Sequence, residues 1–191
     1  MSSQAEQERI LKVREILKEL SLDVRIIEQL KELNTRSNHH PYHNLQHLLT
    51  VAIRSYEGAQ YYNLDSNMKK SIVLAALAHD ADYTIGACES VNLSAAKAVL
   101  QQLCSEELYI QSARYIDATE FPHNEATCLA SAIIQDADLM QAFEEDAERF
   151  FDGLCVEKND PNAADPTFPG VNGFNTEWAK EKYILHHSSA A

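Results

Sequence analysis

Apolar residues recur along this chain every three or four positions, and almost nowhere every two. Ile10, Leu11, Val13, Ile16, Leu17 and Leu20 form one such series, with Lys and Glu between them, predicting a helix from Gln4 to about Leu20. Ser21 reads as the N-cap of a second helix over Leu22–Leu33, carried by Ile26, Ile27, Leu30 and Leu33. A third is expected to start at Pro41, suited to a first helical turn, and to run to about Tyr62. Asp65 or Ser66 should cap a fourth, which is apolar on every side from Ile72 to Ala78; such a helix belongs in the centre of a fold. Helical spacing returns over Ser90–Leu103, over Ser105–Thr119 and over one long stretch from about Asn124 to Leu154. After Gly153, Pro161, Pro166, Pro169, Gly170 and Gly173 signal a loop or extended arm, closed by a short helix from Thr176 to about Leu185. The pattern predicts an all-α protein.

Composition narrows this further. With 191 residues, 45% hydrophobic and 24% charged, the chain fits one soluble domain. N-terminal helices (1–35), a core (36–152) and a loop, arm and terminal helix (153–191) make up that domain. No window is apolar for long enough to span a bilayer, and the N-terminus lacks a signal-peptide core. Cys88, Cys104, Cys128 and Cys155 form no C-x-x-C pair, which suits reduced thiols and a cytoplasmic location. A net charge of −13 opposes nucleic acid and anionic membranes, and Lys69-Lys70, the longest basic run, is too short to offset it. A phosphorylated partner should therefore be a small molecule, met by some local positive charge such as a metal ion.

Three short stretches carry chemistry. In HHPYHNLQHLL, half of the eight histidines (His39, His40, His43 and His47) surround Pro41. His43 and His47, four apart on the expected helix, would share a face about 6 Å apart, although a zincin motif would need Glu where Asn44 stands. Surface or capping histidines are the plainer reading of that pair alone. In LAALAHDADY, His79 and Asp80 follow seven apolar residues, and an ionised Asp buried there needs a partner or a metal. In ASAIIQDADLMQAF, Asp136 and Asp138 lie about 200° apart on a helix, so at most one faces a given site. The apolar stripe of Leu129, Ile133, Met140 and Phe143 carries Asp136 and leaves Asp138 opposite.

In order, these stretches read H…HD…D, which resembles the HD-domain superfamily of metal-dependent phosphohydrolases over residues 36–152. YHNLQH also resembles the Y-H-N-x-x-H of the cyclic-nucleotide phosphodiesterases, and more closely the small bacterial and phage HD phosphohydrolases. The resemblance implies an HD-type helical bundle with an irregular C-terminal arm, whose metal ligands would be His47, His79, Asp80 and Asp138, preferring Asp138 where periodicity favours Asp136. Two imidazoles and two carboxylates suit one divalent ion such as Mn, Fe, Co, Ni or Zn. The implied activity is hydrolysis of a small phosphoester, with a nucleotide favoured, by a metal-activated water. His43, Asp80 and Asp82 are the candidate catalytic residues. His43 sits in the expected first helical turn, where backbone N–H groups favour anions, and the phosphodiesterases imply a general-acid role for it. His43, Asn44 and His123 are the candidate substrate contacts; His123 lies in a stretch similar to the family's T-x-x-H, and Glu89 and Asn92 in one similar to its acidic-Asn-x-x-Ser-Ala.

His39 and His40 are expected to be exposed loop residues. Lys97, Arg54 and Arg114 are candidate phosphate contacts among which the sequence does not select. Two other functions compete. A di-iron HD oxygenase of a phosphonate or polyol would need two histidines between the doublet and the last Asp, where only His123 stands. A non-catalytic ligand-binding module would not need the full ligand set.

Overall fold

The computed structural model describes residues 4–36, 40–121, 123, 125–144, 147–161, 163 and 170–189; for Thr35, Arg36, Ala142 and Ser189 only the backbone is described. Among these residues all regular structure is helical: α1 (Gln4–Glu19), α2 (Ile26–Arg36), α3 (Leu45–Tyr61), α4 (Ser66–Ala78), α5 (Glu89–Leu103), α6 (Glu106–Asp117), α7 (Leu129–Leu139), α8 (Ala147–Lys158) and α9 (Glu177–Ser189), with short 3₁₀ turns at Met140–Phe143 and Val171–Gly173. None of these helices is long and apolar enough to cross a membrane. His39 lies outside the described residues, as do Asn124 and, within the expected arm, residues 162 and 164–169.

α4 is central because it has no polar face: every residue from Ser71 to Ala78 is buried. It packs on α3, α5, α6 and α7, while α3 also meets α1 and α9. Asp65 caps α4, accepting from the Met68 N–H at 2.9 Å. At Gly58, α3 meets its neighbours so closely that an added Cβ would lie 2.9 Å from Ile133 Cγ2 and 3.0 Å from the Trp178 ring. Burial of each large aliphatic side chain in this centre contributes about 1.5–3 kcal/mol.

Few glycines are spent on helix ends. Ser21 (φ 54°), Asn63 (φ 50°) and Asn159 (φ 50°) take the left-handed conformation after α1, α3 and α8. Each closes the same paired cap, seen at Ser21 in the bonds Ser21 N–H to Lys18 O and Leu22 N–H to Leu17 O. Ser21 therefore ends α1 rather than capping α2, which begins four residues later than expected, at Ile26.

Other boundaries differ from the sequence pattern as well. The stretch expected as one helix over 124–154 is α7, a 3₁₀ turn and α8. Glu144 turns extended (ψ 149°) at the break, and there its carboxylate reaches Arg54 at 2.6 Å and Arg9 at 3.4 Å, partners on α3 and α1. α8 continues to Lys158, so the first residues of the expected arm are helical, and α9 extends to Ser189.

Candidate metal centre

The centre is assembled from helix ends. Asn44 is the N-cap of α3: its Oδ1 accepts from Gln46 N–H (2.8 Å) and His47 N–H (3.3 Å), and its amide donates to the carbonyls of His40 and Pro41. The cap fixes His47 in the first turn of α3. It also occupies the Asn44 side chain fully, so the expected substrate contact is a backbone device instead. His79 ends α4, Asp80 follows it, and Asp138 lies in the last turn of α7.

Donor atoms from His47, His79, Asp80 and Asp138 all lie within 4.8 Å of one another, a group that could hold a metal ion. His47 Nε2 is 3.0 Å from His79 Nε2 and 3.2 Å from both Asp80 Oδ2 and Asp138 Oδ1. His79 Nε2 is 3.1 Å from Asp80 Oδ2 and 3.5 Å from Asp138 Oδ1. Ligand atoms about 2.1 Å from one ion stand about 3.0–3.4 Å apart in octahedral or tetrahedral arrangements, so these separations fit a shared cation. The proton positions agree. His79 Nδ1 donates to the Ala76 carbonyl at 2.8 Å, which leaves Nε2 with its lone pair toward the group when the ring is neutral. Two neutral rings cannot point lone pairs at each other across 3.0 Å without a cation or a proton between them.

In the metal-free group the positive charge between the carboxylates is a proton on the rings. Burial would lower the pKa of His47, yet the Asp138 and Asp80 carboxylates outweigh it and the pKa is raised; His79 is raised further, with Asp80 its strongest partner. Burial would raise Asp80, but His79, His43 and His47 hold it well below the carboxylate range. Asp138 is likewise depressed, by His123, His47 and His79 against burial.

His43 is not on the helix face of His47, since α3 starts only after Asn44. A partner 114 residues away places it. Glu157 on α8, its side chain nearly fully buried, accepts from Tyr42 N–H (2.5 Å), His43 N–H (2.9 Å) and His43 Nδ1 (2.5 Å). The His43 ring stacks on Tyr83 with centroids 3.7 Å apart, and its Nε2 stands 3.8 Å from Asp80 Oδ2. His40, expected exposed, is partly buried, with Nε2 donating to the Tyr83 carbonyl at 2.8 Å.

The remaining candidates separate clearly. His123 Nε2 lies 3.7 Å from Asp138 Oδ2, close to the group but too far for a hydrogen bond. Asp82 is exposed in the turn after α4, at φ 67°, and belongs neither to the metal group nor to the cavity wall beside it. Asp136 is fully buried and committed elsewhere. It accepts from Asn175 N–H (2.8 Å), Asn175 Nδ2 (3.0 Å), Thr176 N–H (2.8 Å) and Thr176 Oγ1 (2.6 Å), tying the start of α9 to α7. Of the two aspartates, Asp138 is the one beside the histidines.

A cavity of about 370 Å³ opens on the group, walled by His43, Asp80, Asp138, Tyr42 and Tyr83 among others. Lys158 lines it, whereas Lys97, Arg54 and Arg114 do not. Lys97 pairs with Asp117, and Arg54 with Glu144 and Glu57. Glu89 also lines the cavity, while Asn92 is buried, its Oδ1 accepting from Thr84 N–H at 3.0 Å. Glu157, Tyr83 and Lys158 carry no mark in the sequence beyond residue type. No family model, curated protein or solved structure matches the chain, so the reading of the centre rests on its geometry and its motifs.

Proposed function

We propose that the chain is a metal-dependent phosphohydrolase of the HD-domain type, acting on a small phosphoester in the cavity beside the four-residue group. One observation carries the reading. The residues of H…HD…D, spread over 92 positions from His47 to Asp138, converge to within bonding reach of a single cation at the wall of a ligand-sized cavity. His47, His79, Asp80 and Asp138 would hold the ion. When bound, a divalent ion lowers the pKa of a coordinated water and offsets phosphoryl charge. The chain's own residues supply the rest. His43, held by Glu157 and stacked on Tyr83, stands at the cavity wall where it would pass a proton to the departing oxygen, and Glu157 fixes the orientation of its ring. Lys158 gives the cavity a positive charge in an otherwise acidic chain.

Elemental analysis of protein purified without chelator, followed by a phosphoester screen with the metal found, tests this. About one divalent ion per chain is expected, with hydrolysis lost on chelation and in His79→Ala and Asp80→Ala. Folded variants that keep full activity would refute the site. No uptake of any metal would leave only a binding module, and two irons per chain would favour an oxygenase.

A further inference from the structure

Among the described residues, five of the eight buried side-chain nitrogen and oxygen atoms that lack a hydrogen-bond partner lie along one seam. They belong to Gln46, His47 and Thr50 on α3 and to Gln141 in the 3₁₀ turn after α7, which packs on α3. Contacts at both ends set the register. Asp138 Oδ1 stands 3.2 Å from His47 Nε2, and Glu144 Oε1 accepts from Arg54 Nη2 at 2.6 Å. Gln141, midway between Asp138 and Glu144, therefore comes level with Thr50, which lies between His47 and Arg54. Residues three apart share a side of a 3₁₀ turn and nearly share one on an α-helix, so Gln141 projects toward α3 as its two neighbours do. Gln46 closes the seam on the α1 side, its Oε1 accepting from Arg9 at 3.1 Å. Gln141 borders the ligand cavity, yet both of its amide atoms are enclosed, so the carboxamide is turned into the protein.

Of the two histidines in the metal group, only one has its outer nitrogen supported. His79 Nδ1 donates to the Ala76 carbonyl, whereas His47 Nδ1 is enclosed and unpaired. With Nε2 turned to the group, His47 carries a hydrogen on Nδ1 whether the ring is metal-bound or doubly protonated. The seam must therefore supply an acceptor, and that hydrogen excludes a second cation there. No hydrogen bond joins His47 Nδ1, Thr50 Oγ1 and Gln141 directly. Native interiors keep few such atoms, and an internal water is the usual group that satisfies several at once.

We propose that the seam binds one buried water and that Gln141 and Thr50 hold this water against His47, which makes Gln141 a positioning residue of the metal centre. The water accepts from His47 Nδ1–H and donates to Gln141 Oε1 and Thr50 Oγ1, and about three such bonds are typical of an internal water. An acceptor on the outer nitrogen fixes the tautomer and the plane of a metal-binding imidazole and makes it a better donor. This rests on the metal-centre part of the proposed function and is independent of the substrate.

The test joins a high-resolution crystal structure of the metal-free protein to calorimetric titration with Zn²⁺ of the wild type, Gln141→Leu and Thr50→Val. The wild type is expected to show one ordered water about 2.7–3.2 Å from His47 Nδ1, Gln141 Oε1 and Thr50 Oγ1. Zn²⁺ affinity should fall about 10–100-fold in Gln141→Leu. In Thr50→Val, which removes the hydroxyl and keeps the shape, it should fall about 5-fold, so the idea stays open to refutation if Gln141→Leu does not fold. A wild-type structure with no water at these three atoms would overturn the site. Wild-type Zn²⁺ affinity in the folded variants, even with a lower melting temperature, would show that Gln141 and Thr50 only pack, and would overturn their assignment while leaving the metal centre intact. If the wild type itself binds neither Zn²⁺ nor any other divalent ion, the metal-centre reading falls, and the positioning role falls with it.

Discussion

Asp136 and Asp138 are two residues apart and both carboxylates, and their removal should have opposite consequences. In Asp136→Ala, Thr176 is left with a buried N–H and a buried hydroxyl that have lost their acceptor, while the exposed Asn175 turns to water. Each orphaned buried donor costs about 1–3 kcal/mol. Relief from holding a buried carboxylate offsets part of this, for a net loss of about 3 kcal/mol. For a chain of this length that lowers the melting temperature by about 6–12 °C. The metal group is untouched, so a divalent ion at a hundred times its dissociation constant should still raise the melting temperature by about 5–11 °C. Asp138→Ala removes a donor of the group itself, and the metal-induced rise should vanish. Thermal unfolding followed by circular dichroism, with and without metal, reads both effects. An Asp136→Ala protein that folds but no longer responds to metal, beside an Asp138→Ala protein that does, would refute the ligand assignment.

Three further outcomes follow from the geometry. The pKa of His79 is raised, so in the metal-free protein its stabilising contribution is fully present below about pH 6.5 and is lost as pH rises through its folded value. The contributions of Asp80 and Asp138, whose values are depressed, are lost only as pH falls through those values. Metal binding needs the imidazoles unprotonated, so affinity should strengthen as pH rises from about 6.5 through the raised His79 value, with net proton release; calorimetry in buffers of different ionisation enthalpy measures it, and a pH-independent affinity would contradict the charge pattern. Glu157→Gln keeps an acceptor for the Tyr42 and His43 amides but turns an amide N–H₂ toward His43 Nδ1. Metal content should be unchanged and kcat about 10–100-fold lower; a wild-type kcat would show that His43 does not depend on its carboxylate. Gly153→Ala places a Cβ 2.6 Å from the Pro41 carbonyl oxygen, a backbone atom that cannot swing aside. A loss of about 1–3 kcal/mol is expected in the melting curve, and an unchanged melting temperature would mean that α8 and the His43 loop are not packed as described.

What the sequence determined by itself is local. Periodicity places most helices, because a buried face must repeat with the helical turn, and the unbroken apolar run over 72–78 marks the helix that the others surround. The histidines, the His-Asp doublet and one of two later aspartates were legible as metal-type residues in apolar surroundings. The choice between Asp136 and Asp138 was not legible from periodicity. Both sides of α7 have partners, and the apolar stripe could not say that Asp136 meets the α9 cap while Asp138 meets the histidines. The break at Glu144 depends on arginines on α3 and α1, and the place of His43 depends on Glu157, more than a hundred residues downstream. Gln141 is an ordinary glutamine until the fold surrounds it and leaves its amide without a partner. These features are tertiary because burial and charge pairing are relations between distant segments, which no single window of sequence contains.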